Sequence, residues 1–143
     1  ASVVLVMRSW DTSLGKTEGY AVFNEARGIM KSIDSAVKSV SVEGEDSSRK
    51  LTFSISGGEY RTKSSSDNIL FIMDSRENIT STGVRTEGPL LIQKFQNNTI
   101  KIELNYTSVD IENDLRWSSG SHSIVIKNNG TQSGKTKLVF DIL

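Results

Sequence analysis

Apolar positions along this chain follow two different rhythms. Phe23, Ala26, Met30, Ile33, Val37 and Val40 recur at alternating spacings of three and four. Residues so spaced are neighbours on one face of an α-helix. Glu25, Arg27, Lys31, Asp34 and Lys38 fall on the opposite face. The pattern predicts a helix from about Glu18 to Val40, with Asp11, Ser13 and Thr17 as candidate N-caps. Gly28 interrupts its middle at a cost of about 1 kcal/mol relative to Ala; close packing against the sheet would explain it, and a tolerated surface glycine is the competing account. After about Ser41 the period falls from roughly 3.6 to 2.

Strand signals then follow in series. Leu51, Phe53 and Ile55 alternate with Thr52, Ser54 and Ser56, and Gly57-Gly58 reads as a tight hairpin turn into a partner strand from Glu59 to Lys63. Asn68 to Met73 is an apolar run suited to a central strand, and Glu77 to Val84 a polar one. Gly88-Pro89 and Asn97-Asn98 mark turns around a strand from Leu90 to Phe95. Thr99 to Tyr106 alternates, and the alternation resumes at Val109 and Ile111. Ser121 to Lys127 is followed by the turn signal Asn128-Asn-Gly130, and Lys135 to Leu143 places Leu138, Phe140 and Ile142 on one face. Seven to nine short strands at intervals of about ten residues fit an antiparallel sandwich or meander. The expected fold is α+β: one domain over residues 1–143, with a long amphipathic helical segment (1–40) packed on a β-rich region (41–143).

Charge and composition narrow the function. The 17 basic and 17 acidic residues cancel, and no basic cluster suits nucleic acid or an anionic membrane. There are no cysteines, so disulfides, thiol catalysis and Cys-ligated zinc are excluded. Asn78, Asn97, Asn105 and Asn129 each begin an Asn-X-Ser/Thr sequon. They are candidate N-glycosylation sites and lean the reading toward an exported surface. Val3-Val4-Leu5-Val6-Met7 is apolar but ends at Arg8, well short of the roughly 20 residues of a membrane span. It reads either as a first strand or as the outer end of a membrane helix, with Trp10 at the interface.

Candidate chemistry is sparse. His122 is the only histidine, and no Gly-X-Ser-X-Gly elbow accompanies it. Asp110, Glu112 and Asp114 alternate, so on a strand they would share one face and could offer oxygen ligands to calcium. A charged edge that discourages strand-to-strand aggregation is the competing account. Gly130 to Thr136 ends in Gly-Lys-Thr, but only three residues separate its glycines where a phosphate loop needs four; a hairpin loop is expected. Trp10 and Trp117 could stack on a sugar, although core packing is the default.

The segment Asn24 to Val40, the strand region Ser48 to Glu59 and Asn68-Ile-Leu-Phe71 resemble archaeal type IV pilin-like membrane-anchored surface proteins. In that family a class III signal peptide leads into a hydrophobic helix, which continues as an amphipathic one ahead of a β-rich ectodomain. The processing site and most of the hydrophobic helix are not in this sequence. The resemblance implies a non-enzymatic protein on the cell surface, anchored to the cytoplasmic membrane, working in assembly or adhesion through protein partners or self-association. It implies no catalytic residues and no cofactor. The rival reading is a soluble glycan- or calcium-binding β-domain.

Overall fold

The computed structural model describes residues 15–75 and 79–143, with side chains described from residue 19. Val3 to Met7, Trp10 and the sequon asparagine Asn78 lie outside the described residues. Helix α1 spans Gly15–Glu43, roughly 43 Å at 1.5 Å per residue. It overruns the predicted span at both ends. Gly44 follows at φ 97°, a conformation cheap for glycine and common just past a helix C-terminus. Gly28 meets nothing within 4 Å of a built Cβ, so close packing does not explain it. The close approach is at Gly19 instead, where a Cβ would stand 3.3 Å from Ser75 Oγ and 3.5 Å from Ile79.

Ten strands follow among the described residues: β1 (Ser48–Ile55), β2 (Glu59–Lys63), β3 (Asn68–Asp74), β4 (Gly83–Glu87), β5 (Leu90–Lys94), β6 (Thr99–Asn105), β7 (Val109–Ile111), β8 (Arg116–Trp117), β9 (Gly120–Gln132) and β10 (Lys135–Ile142). They form a four-stranded sheet of order β1-β9-β10-β7 and a six-stranded sheet of order β4-β5-β6-β3-β2-β8. The fold is α+β, as the pattern of periods predicted. Every pairing is antiparallel except β10 with β7, which is parallel.

Alternation along the strands supplies the core. Tyr60, Ile69, Phe71, Ile92, Ile100, Ile102 and Leu104 come from the six-stranded sheet, and Ile111, Ile124, Ile126, Leu138 and Phe140 from the four-stranded one. The helix adds Phe23, Ala26, Met30, Ile33, Val37 and Val40, all between 0% and 2% exposed. Ile29 and Ala36, outside the predicted stripe, are buried beside them. The helix packs on β1 and β9 of one sheet and on β3, β5 and β6 of the other, and so joins the two sheets through one apolar face.

Two turn assignments and one strand assignment change. Gly57-Gly58 is not a hairpin: β1 pairs with β9, while β2 pairs with β3 and β8. The glycines carry the chain from one sheet to the other. Gly58 has φ 78°, and a Cβ there would stand 2.2 Å from the Phe71 ring, so both conformation and space require glycine. Asn128-Asn-Gly130 is not a turn either, but lies within the 13-residue β9. Asn128 is 2% exposed. Its Nδ2 donates to the Val40 carbonyl near the end of α1 at 3.0 Å, and its Oδ1 accepts from Gly130 N at 2.8 Å. The ladder with β10 shifts register opposite this point, which absorbs Gly130 at φ 97° as a bulge. The true hairpin turn is Ser133-Gly134, with φ of 54° and 79°, the positive pair of a type I′ turn. Finally, of the polar strand expected over Glu77 to Val84, residues 77 and 78 lie outside the described residues, and the strand found in the rest is β4, Gly83–Glu87.

Candidate functional site

The residues singled out by sequence do not assemble into one site. His122 is half-buried on β9, with Nε2 2.8 Å from the Ser118 carbonyl and 3.4 Å from that of Ser119. Both are backbone acceptors, which give the ring a structural role and leave it without an acid or nucleophile partner among its bonds. Asp110, Glu112 and Asp114 diverge in their partners. Asp110 lies opposite Lys137 in the β7–β10 register. Glu112 accepts from Asn129 Nδ2 at 3.0 Å, and Asp114 accepts from the Ser64 amide at 2.7 Å. Among the described residues no three His, Asp or Glu side chains are grouped to hold a metal ion. The Gly-Lys-Thr segment forms the β9–β10 turn and the start of β10. Trp117 is 3% exposed and stacks on Tyr60, centroids 5.6 Å apart and planes 9° from parallel, so it faces the core and not a sugar.

Three sequon asparagines are described. Asn97 sits exposed at the β5–β6 turn, where its Oδ1 accepts from the Thr99 amide at 3.2 Å. Asn105 is exposed at the end of β6, and Asn129 is exposed in the β9 bulge.

What sequence reading missed is a groove of about 350 Å³ beside the β2–β8 edge of the six-stranded sheet, lined by Arg61, Thr62, Lys63, Ser65, Asp114, Leu115 and Arg116. Alternation explains its walls. Tyr60 and Thr62 point inward from β2 and are buried, while Glu59, Arg61 and Lys63 face out. β8 is only two residues long and sets Arg116 directly opposite Arg61 and Trp117 opposite Tyr60. Like charges in directly opposed positions repel, and here one carboxylate answers both. Glu59 Oε2 accepts from Arg61 Nη2 at 3.0 Å and Glu59 Oε1 from Arg116 Nε at 2.7 Å. The Arg61 hydrogen bond foremost, then both positive charges, hold the Glu59 carboxyl below its ordinary range.

The far wall is fixed on both sides. The Thr62 amide donates to the Leu115 carbonyl at 3.0 Å, Thr62 Oγ1 donates to the Asn113 carbonyl at 2.9 Å, and the Leu115 amide donates back to Thr62 Oγ1 at 2.8 Å. Asn113 bonds the Phe140 backbone twice, at 2.6 and 2.9 Å, tying the same loop to β10. The Asp114 carboxyl is held below its ordinary range, first by the Ser64 amide. Nothing in the one-dimensional pattern marked this place. Arg61 and Arg116 are 55 positions apart, and only the β2–β8 register makes them neighbours.

Comparison with known proteins gave no match: no protein-family model, no curated protein and no solved structure matches this chain. Among the described residues no helix is long and apolar enough to cross a membrane.

Proposed function

We infer that this chain is the ectodomain of a non-enzymatic, exported, membrane-anchored surface protein of pilin-like organisation, acting in assembly or adhesion. The observation that carries the reading is the way α1 enters the fold. One amphipathic helix of 29 residues leads directly into the β-region, and its apolar face is used up in joining the two sheets. A helix so fixed can transmit position from an upstream anchor to the β-region without a flexible joint. The resemblance of residues 24–40, 48–59 and 68–71 to pilin-like proteins supports the same organisation, and exposed sequon asparagines at 97, 105 and 129 suit an outward surface.

The test is the upstream coding sequence together with protease treatment of intact cells. The reading expects a hydrophobic stretch of about 20 residues running into Val3 to Met7, and a protein cleaved from outside the cell. A coding sequence without that stretch, or protein protected until lysis, overturns it.

A further inference from the structure

We propose that the groove at the β2–β8 edge binds a small ligand through an oxyanion, a carboxylate or a phosphate, gripped between the Arg61 and Arg116 guanidinium groups. The proposal stands apart from membrane anchoring and concerns only this surface.

Three observations carry it. First, β2–β8 pairing sets two arginines directly opposite one another at a sheet edge, an arrangement that lowers stability unless anions lie between them. Glu59 supplies one carboxylate for two guanidinium groups, each of which has donors to spare. Second, Arg61 Nε is shielded from solvent yet has no hydrogen-bond partner. A buried donor without an acceptor is a standing cost, which the Arg61 side chain would shed by turning toward a ligand oxygen. Third, the walls are concave and rigid. The Asn113–Leu115 loop is bonded both to Thr62 and to Phe140, and a supporting shell of this kind keeps a binding geometry in place.

Charge and size set the ligand class. Arg61, Lys63 and Arg116 line the groove with Asp114 as the one lining acid, and Glu59 bridges the two arginines. The balance is one positive charge in excess. Guanidinium groups match planar or tetrahedral oxyanions through paired N–H donors. A groove of about 350 Å³ exceeds a bare ion and suits a molecule of monosaccharide size. The anionic group would lie against Arg61 and Arg116, and the polar body along Lys63 and Ser65.

The experiment is a titration followed by backbone amide NMR at constant ionic strength, with glucuronate, glucose 6-phosphate and glucose as probes. Saturable shifts confined to residues 61–65 and 114–117 are expected with at least one anionic probe and not with glucose. A response to glucuronate alone assigns a carboxylate, a response to glucose 6-phosphate alone assigns a phosphate, and either supports the site. Saturation with glucose at equal affinity, or with none of the three, overturns it. Arg61→Gln and Arg116→Gln should each weaken binding about tenfold, the usual scale for a charge-assisted contact. Unchanged affinity in both overturns the proposal. Asp114→Asn covers the case in which the arginine variants fail to fold. It keeps the Oδ1 acceptor for Ser64, removes the charge facing the ligand and should tighten binding severalfold. Unchanged or weaker binding there also counts against the site.

Discussion

The two edges of the six-stranded sheet use the same side chains to opposite effect. At the β4 edge, Glu87 forms ion pairs with Arg27 at 3.3 Å and Lys31 at 3.1 Å, both on the helix. Arg85 bonds Thr80 Oγ1 and stands over the Phe23 ring, 5.9 Å from its centroid. At the β8 edge, Glu59 accepts from Arg61 and Arg116, both on the sheet itself. The first cluster lies over buried Phe23 and joins the helix to the sheet. The second borders an open groove and joins nothing across it. Ion pairs of this exposure contribute little by themselves. Both edges rest on buried aromatics, Phe23 under one and Tyr60 with Trp117 under the other. What differs is that the first cluster spans from helix to sheet, while the second faces an open groove and leaves its cations available.

That contrast can be broken experimentally, and the largest effect belongs to the edge joined to the helix. Phe23→Ala removes a ring that is 2% exposed and should lower unfolding free energy by about 3–5 kcal/mol, read by urea denaturation. A loss below about 1 kcal/mol would mean that the helix is not held by its stripe. Asn128→Ala leaves the Gly130 amide without its side-chain partner and the Val40 carbonyl with Ser47 Oγ as its one side-chain donor, and should cost about 1–3 kcal/mol. Gly28→Ala tests the exposed face of the same helix. With nothing within 4 Å, it should raise stability by about 0.5–1 kcal/mol through helix propensity.

Smaller effects separate the two edges by charge. Lys31 foremost, with Arg27 and Arg85, holds the Glu87 carboxyl below its ordinary value of 4.5. A depressed folded value stabilises above the unfolded value and loses that contribution as pH falls through the folded one. Glu87→Gln should therefore cost about 0.2–1 kcal/mol at neutral pH. The gap from the parent should close as pH drops below about 4.5, measured as denaturation midpoints across an acid series. Tyr60→Phe should change stability least, by under about 0.5 kcal/mol. Its hydroxyl is buried without a hydrogen-bond partner, so removing it gives up no bond and relieves a desolvated donor. A large loss would reveal an acceptor for that hydroxyl and a different interior beside the groove.

The helix stripe and most strands were legible because their signals are local. Burial of one face every 3.6 or 2 residues writes itself into the nearest dozen positions. Partners were not legible. Gly57-Gly58 has the composition of a hairpin turn, yet joins strands of different sheets, because turn chemistry specifies a local bend and says nothing about which strand lies alongside. Asn128 and Gly130 carry a turn signature, yet serve a helix end and a bulge, since a distant carbonyl claims the Asn side chain. Asp34 sits on the face expected to be solvated, yet is 5% exposed and accepts from Tyr106 Oη at 2.9 Å.

By itself, the sequence determined the succession of elements: an amphipathic helix, then strands with alternating faces, with no metal-binding or nucleophilic signature strong enough to name a reaction. The tertiary structure alone decided how the strands divide between two sheets and which arginines stand opposite each other. The physical reason is that periodicity is a property of neighbours in the chain, while register between β2 and β8 spans more than fifty residues and is set by the packing of Tyr60 against Trp117 within a shared core.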